Sequence, residues 1–434
     1  MEWWLIGSLM FLAFIACLMV GIPVAFSLGI VSTVTVLLLF GIGGLEIIAS
    51  TAYIVCTSFV MIAVPLFIFM GEIIMASGTS GKAYRAVDAW FGRVRGGSAV
   101  STVVMATIFG AVSGFSPAAC ATVGSISIPE MFERKYDKGL AIGAVGGGAC
   151  LDVLIPPSLL MIIYGQLAGV SVAGLFYGGI IPGLVGSILF IAYIMVRSTL
   201  DPRVAPAGTP VNWKKRLGLT VQLLPLILLI VLVMGTIWVG IATPTEAGGL
   251  GAFGAACLLV AYRRFNWTTV SRLLYNTVRL TGMLLMVLIG ANAFTQMLAY
   301  VGFTLNFGKL VAGLEVSRWV IMGGMQMTIM FLGCFIDPGS ILFILTPIYV
   351  PIIVSLGFDP LWFGIILMIN CELATITPPV GLNLYVLKGI VGEKATFADI
   401  VRGVAPYWWL HLLLMVMVML FPPLATWLPS LRPM

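Results

Sequence analysis

Charge is scarce in this sequence. Only 9% of the 434 residues are Asp, Glu, Lys or Arg, histidine occurs once, and 61% are hydrophobic, for a mean hydropathy of +1.14. No soluble domain has that composition, so the apolar runs are read as many membrane spans. Cysteine motifs are missing as well. All seven cysteines (Cys17, Cys56, Cys120, Cys150, Cys257, Cys334, Cys371) sit in apolar stretches, with no CxxC and no Cys/His cluster. That speaks against a disulfide framework and against a transition-metal site. There is no HExxH, no Asp-rich metal motif, no GxGD pair and no base beside a nucleophile, so an intramembrane enzyme is disfavoured. The opening Met1-Glu2-Trp3-Trp4 has no basic n-region, and the first span is expected to stay in place. His411 lies in an apolar span and is read as a packing or interfacial residue rather than a proton relay. The net charge of +6 does not point to nucleic acid, because the basic residues lie in short loops and report topology instead.

What the chain does have is a repeat. Two halves carry the same punctuation about 222 residues apart (Pro156 to Pro378), inside apolar sequence. The first reads Gly110-Ala111-Val112-Ser113-Gly114-Phe115-Ser116-Pro117, then Pro129, Tyr136-Asp137 and Ile155-Pro156-Pro157-Ser158. The second reads Gly333-Cys334-Phe335-Ile336-Asp337-Pro338-Gly339-Ser340, then Pro351, Phe358-Asp359 and Thr377-Pro378-Pro379-Val380-Gly381. The spans are expected at 3–21, 24–40 and 52–77, a hairpin over 97–132, a broken span 138–170, and 172–196. The second half repeats the order at 217–240, 245–262, 280–300, a hairpin over 318–356, a broken span 361–391, and 404–428. With the N-terminus outside, 19 of the 22 basic residues fall in inner loops, and only Lys309, Arg318 and Arg432 fall outside. That obeys the positive-inside rule. It puts both termini on the outer side and sends the two hairpins in from opposite faces, which makes the halves an inverted-topology repeat. Two basic and aromatic stretches, 82–93 and 265–275, are read as amphipathic helices lying on the cytoplasmic leaflet.

The breaks have the grammar of helix starts. Ser116 precedes Pro117, Asp337 precedes Pro338 and Thr377 precedes Pro378. Each is a good N-cap before a proline suited to the first helical position. The fourth break, Ile155-Pro156-Pro157-Ser158, has Ile155 where a cap would be. Broken helices at membrane depth are tolerated only where they line a cavity. Their N-termini suit an anion, and the carbonyls and hydroxyls around them suit a dehydrated Na⁺. The polar candidates are Ser113, Ser116, Thr122, Ser125, Asp152 and Ser158 in the first half and Asp337, Ser340, Asn370, Glu372, Thr375, Thr377 and Asn383 in the second, with Gly110, Gly114, Gly146, Gly147, Gly148, Gly339 and Gly381 allowing close backbone approach. For each Ser or Thr, packing or capping stands beside ligand contact. Glu72, Asp152, Asp337 and Glu372 are the carboxylates in apolar stretches. A central Asp costs roughly 2.5–3.5 kcal/mol, so such residues are functional by default. Asp337 fits a cap or a cation ligand; Asp152 and Glu372 fit charge neutralisation or cation binding. Glu72, away from any break, is read as a hydrogen-bonded or interface residue.

Gly110-x-x-Ser113-Gly114-x-Ser116-x-Ala118, Leu154-Ile155-Pro156-Pro157-Ser158 and Thr377-Pro378-Pro379-Val380-Gly381-x-Asn383-Leu384 resemble signatures of the large membrane subunit of TRAP (tripartite ATP-independent periplasmic) transporters. The resemblance covers essentially the whole chain. It implies an elevator-type, all-α integral membrane protein that is driven by Na⁺ and imports organic acids such as C4-dicarboxylates or sialic acids. It implies a bacterial inner-membrane location and no cofactor beyond the coupling ion. The implied partners are a separate small four-span membrane subunit and a periplasmic substrate-binding protein. One Na⁺ site would be framed by Ser113 to Ala118 and by Ile155, Pro156, Pro157 and Ser158. Its symmetry mate would be framed by Asp337, Pro338, Gly339 and Ser340 and by Thr375, Thr377, Pro378, Pro379 and Gly381. Phe115 stands where the family commonly has a small residue. The expected division is a scaffold at 1–96 and 217–300, a transport domain at 97–200 and 301–434, and a cytoplasmic linker at 201–216. A stand-alone divalent-anion symporter is the nearest rival reading, and a channel is the third.

Overall fold

The computed structural model describes residues 2–114, 116–206, 213–313 and 315–431. Among them the regular secondary structure is helical throughout. The first half runs α1 (Trp3–Met19), α2 (Val24–Phe40), α3 (Leu45–Thr57), α4 (Ala63–Ala76) and α5 (Thr79–Phe91). A hairpin follows, α6 (Gly97–Ser113) and α7 (Ser116–Glu133), then a broken helix, α8 (Lys138–Ala149) and α9 (Leu159–Ala168), and α10 (Val172–Leu200). The second half runs α11 (Trp213–Thr220), α12 (Leu224–Trp238), α13 (Pro244–Ala261), α14 (Trp267–Tyr300) and α15 (Phe303–Ala312). Its hairpin is α16 (Arg318–Gly333) and α17 (Pro338–Ser355). Its broken helix is α18 (Pro360–Thr375) and α19 (Leu382–Val391), and α20 (Phe397–Leu420) and α21 (Pro423–Ser430) close the chain. Six helices are long and apolar enough to cross a bilayer, and the bent pair 138–154 and 159–168 makes a seventh.

Both hairpins and both broken helices stand where the repeat puts them. Three spans differ. The expected span 52–77 is two helices, because the chain leaves α3 at Ser58 with extended backbone (φ −66°, ψ 120°). Pro65 falls in the first turn of α4, where proline's missing N–H costs least. The matching residue of the second half is Val287, and there α14 runs unbroken for 34 residues, roughly 50 Å at 1.5 Å per residue. The stretch 265–275 is therefore not a separate surface helix but the approach to α14 and its first turns. The span 217–240 divides into α11 and α12, and the last span starts early, at Phe397, on a Thr396/Asp399 capping box.

The other amphipathic stretch does form its own helix, α5. Yet its buried face, which includes Tyr84, Val87 and Asp88, packs on α6, α7 and α11 rather than on lipid. Arg134 pairs with Asp88 at 3.0 Å and with Glu130, which pins α5 to the hairpin.

The halves interlock crosswise. α4 lies along α13, and α14 lies along α2. Thr245 donates to the Phe59 carbonyl (3.1 Å) and Thr51 to Gln296 (2.8 Å) across these seams. The hairpins repeat the pattern, with α7 packed on α19 and α17 on α9. Buried aliphatic and aromatic side chains fill the space around α8, α18 and α20. Buried His411 fits the packing reading: its Nε2 lies 3.0 Å from the Ile369 carbonyl, and its ring sits against Phe190.

Candidate functional site

The two hairpin tips meet over one cavity. α6 stops at Ser113 because Gly114 takes left-handed backbone (φ 63°) and returns its N–H to the Gly110 carbonyl at 2.8 Å. Ser116 opens α7 as its first residue, and its hydroxyl accepts from Asn383 Nδ2 at 2.7 Å. Phe115, between them, lies outside the described residues. At the other tip Asp337 is the N-cap of α17, with Pro338 at the first helical position. Its carboxylate accepts from the Ser340 N–H (2.9 Å) and the Ser340 hydroxyl (2.6 Å).

The double prolines do not start helices, contrary to expectation. In the first half Asp152–Leu154 form a 3-10 turn, Ile155 is extended, and cis Pro156–Pro157 leads to Ser158. Ser158 is the cap, accepting from the Met161 N–H at 3.5 Å, and α9 begins after it. In the second half Pro378–Pro379 is also cis, and α19 begins only after Gly381 (φ 48°). Thr377 is not a cap. Its hydroxyl donates to the Leu373 carbonyl (2.7 Å) and accepts from Trp408 Nε1 (2.7 Å). The Val380 N–H bonds to the Cys334 carbonyl at 3.2 Å and ties this break to the second tip.

The cavity has a volume of about 360 Å³. Ser113, Gly114, Ser116 and Pro117 line it from one tip, Asp337, Pro338, Gly339 and Ser340 from the other, and Glu372 from α18. The opposite wall comes from α2, α4 and α14 and includes Glu72, Met75, Leu280, Met283 and Leu284. Asp152, Ile155, Pro156, Pro157, Ser158, Asn370, Thr375, Thr377, Pro378, Pro379 and Gly381 are not among its lining residues, and Pro378 and Pro379 are exposed. Asn370 is turned away: its Nδ2 donates to the Gln326 carbonyl (2.8 Å) and to Gln326 Oε1 (2.9 Å) on α16.

Beneath the tips lies a buried polar knot. Asn383 Nδ2 bridges Ser116 and Thr375 (3.0 Å), and Thr375 donates to the Glu372 carbonyl at 2.7 Å. Asp152 is fully buried and both its carboxylate oxygens are without partners among the described residues. The same is true of Glu372 Oε2, Asn383 Oδ1 and the Ser113 hydroxyl. Buried polar groups are ordinarily satisfied, so these open oxygen lone pairs are candidate ligand atoms. No group of three His, Cys, Asp or Glu residues gathers to hold a metal among the described residues.

Two features escaped the sequence reading. Glu72 was legible as a membrane carboxylate but not as cavity wall; it accepts from Asn276 Nδ2 at 2.9 Å. Asn383 was visible beside the second double proline, yet its reach of 267 positions to Ser116 was not.

A family model described as "Tripartite ATP-independent periplasmic transporter, DctM component" matches residues 11–424. The chain belongs to that family. It is the large membrane subunit type of the TRAP permeases. It is 30% identical to the C4-dicarboxylate TRAP transporter large permease protein DctM of Vibrio cholerae serotype O1, over 98% of this chain and 97% of that one. It is 31% identical to the protein of the same description from Pseudomonas aeruginosa, over 93% and 94%. With the permease protein DctMQ of Oleidesulfovibrio alaskensis, described as an isethionate TRAP transporter permease, the match is 31% over 87% of this chain and 59% of that longer protein. Among solved structures, the YdaH transporter of Alcanivorax borkumensis superposes with a TM-score of 0.64 at 16% identity, over 93% of this TRAP permease and 98% of that chain. That likeness concerns the fold alone.

Proposed function

We propose that this permease imports a small organic acid across the bacterial inner membrane, coupled to Na⁺ entry, with both chain termini on the periplasmic side. The hairpins, broken helices, α10 and α20 would move as one body past α2, α4, α13 and α14, an elevator motion. A periplasmic binding protein would deliver the solute, and a small membrane subunit would complete the transporter. One observation carries this reading: the cavity bounded by both hairpin tips, with the unpartnered oxygens of Asp152 and Glu372 beneath it. Hydroxyls, carbonyls and carboxylates form a hard, all-oxygen donor set that suits Na⁺. The solute class follows the family and the names of its relatives, which include a C4-dicarboxylate and a 2,3-diketo-L-gulonate permease.

The test is uptake into proteoliposomes that hold the permease with its small subunit, with the binding protein added outside. An inward Na⁺ gradient is expected to drive accumulation. A pH gradient without Na⁺ is expected to drive almost none, and robust uptake there would reassign Asp152 and Glu372 as proton carriers. Uptake that needs no binding protein would favour the stand-alone symporter.

A further inference from the structure

The cavity walls are acidic. Glu72, Asp337 and Glu372 line them, and no Lys, Arg or His does so among the described residues. Asp337 is engaged in capping α17. Glu372 sits in the polar knot with Oε2 unpartnered, and the Ser113 hydroxyl nearby is likewise buried and free. Glu72 stands on the far wall, on α4, held by a single hydrogen bond from Asn276 and in no ion pair among the described residues. A carboxylate at membrane depth without a basic partner is costly and calls for a cation. The first tip has the opposite character. The start of α7 carries the partial positive charge of a helix N-terminus and presents Ser116, Pro117 and Ala118 to the cavity.

We infer that the cavity takes a carboxylate-bearing solute that also carries a cationic nitrogen, with Glu72, held by Asn276, as the subsite for that cationic end. This rests on the cavity being the transport site. The carboxylate end faces the α7 tip and its bound Na⁺, and the cationic end faces α4. A plain dianion would bring a second negative charge against Glu72, where the described walls offer no Lys, Arg or His to balance it. A zwitterion brings none.

The charge of the cavity can be read directly, with no gradient and no transport. In a variant lacking the seven native cysteines, Met283→Cys places one thiol on the α14 wall, at a residue 55% exposed. Its modification rates by a trimethylammonium and by a sulfonate methanethiosulfonate reagent are each divided by the rate on a free thiol. The cationic reagent is expected to be favoured by about tenfold or more, the scale on which charged clefts concentrate ions. Glu72→Gln keeps an acceptor for Asn276 and is expected to cut that preference severalfold, while Glu72→Asp keeps it. Equal rates, an anionic preference, or a preference unmoved by Glu72→Gln would overturn the inference. Failure of Na⁺-driven uptake would instead strike at the coupling and leave this ratio unchanged.

Discussion

Gly110 and Gly333 make the same contact in the two halves of the molecule. A Cβ added to Gly110 would lie 2.0 Å from Asp152 Cβ, and one added to Gly333 would lie 2.1 Å from Ala374 Cβ. Each glycine lets the first arm of a hairpin touch the neighbouring broken helix, at the 3-10 turn of the break in the first half and at the last turn of α18 in the second. The residue met differs: an aspartate in one half, an alanine in the other. The buried acid of the second half is Glu372, whose counterpart at the repeat spacing is Cys150. The halves thus share backbone approach but not ligand chemistry. Two pseudo-equivalent cation sites, if both operate, would be built from different donors and would differ in affinity.

The heaviest way to break the comparison is to fill the contact. Gly110→Ala is expected to destabilise the detergent-solubilised protein by about 3 kcal/mol or more, at the upper end for overpacking, because Asp152 Cα would lie only 2.5 Å away. Gly333→Ala should cost less, since Ala374 Cα lies at 3.5 Å. Ala374→Gly should recover most of that loss, whereas Asp152→Gly should not rescue Gly110→Ala. Thermal melts of the four variants check this, and equal rescue in both halves would end the distinction.

Removing charge comes next. Asp152→Asn and Glu372→Gln break no ion pair, so without Na⁺ both should melt at or above the parent temperature. Added Na⁺ at a hundred times its dissociation constant should stabilise the parent by about 2.7 kcal/mol. Each variant should lose part of that response, and the losses should be unequal. An identical, full Na⁺ response in both would remove the carboxylates from the cation sites.

Capping is smaller. Asp337→Ala should cost about 0.5–2 kcal/mol, and Asp337→Asn should retain most of the cap. If Asn loses Na⁺ affinity while staying as stable as the parent, the carboxylate serves the ion as well. The smallest effect is expected at Gly389 in α19, where an added Cβ meets nothing within 4 Å. Gly389→Ala should gain up to about 1 kcal/mol, a control that glycine itself is not what the contacts require.

The hairpins and breaks were legible because Pro, Gly and Asp inside apolar runs leave few alternatives at membrane depth. Asp337 could be read as a cap from Asp-Pro alone. Where each helix resumes could not. Ser158 and Gly381 sit one and two residues past the double prolines, and only the folded backbone shows that Thr377 turns back to Leu373 instead. Asn370 stood among the polar candidates beside Glu372, but two residues along a helix face different ways, and Asn370 faces Gln326. The separation of α3 and α4 was not legible, because hydropathy runs straight across it and proline elsewhere in the chain, as at Pro182, sits inside an unbroken helix. The wall made by Glu72 depends on contact with the other half, which no local pattern reports.

The crosswise seam also sets an order of events during synthesis. Glu72 and Asn276 are 204 positions apart. At about 5–20 residues per second, Glu72 exists for roughly 10–40 s before its hydrogen-bond donor is made, and for most of that time neither α13 nor α14 has been synthesised. Through that interval the first half must hold a carboxylate and an unfilled helix groove beside lipid.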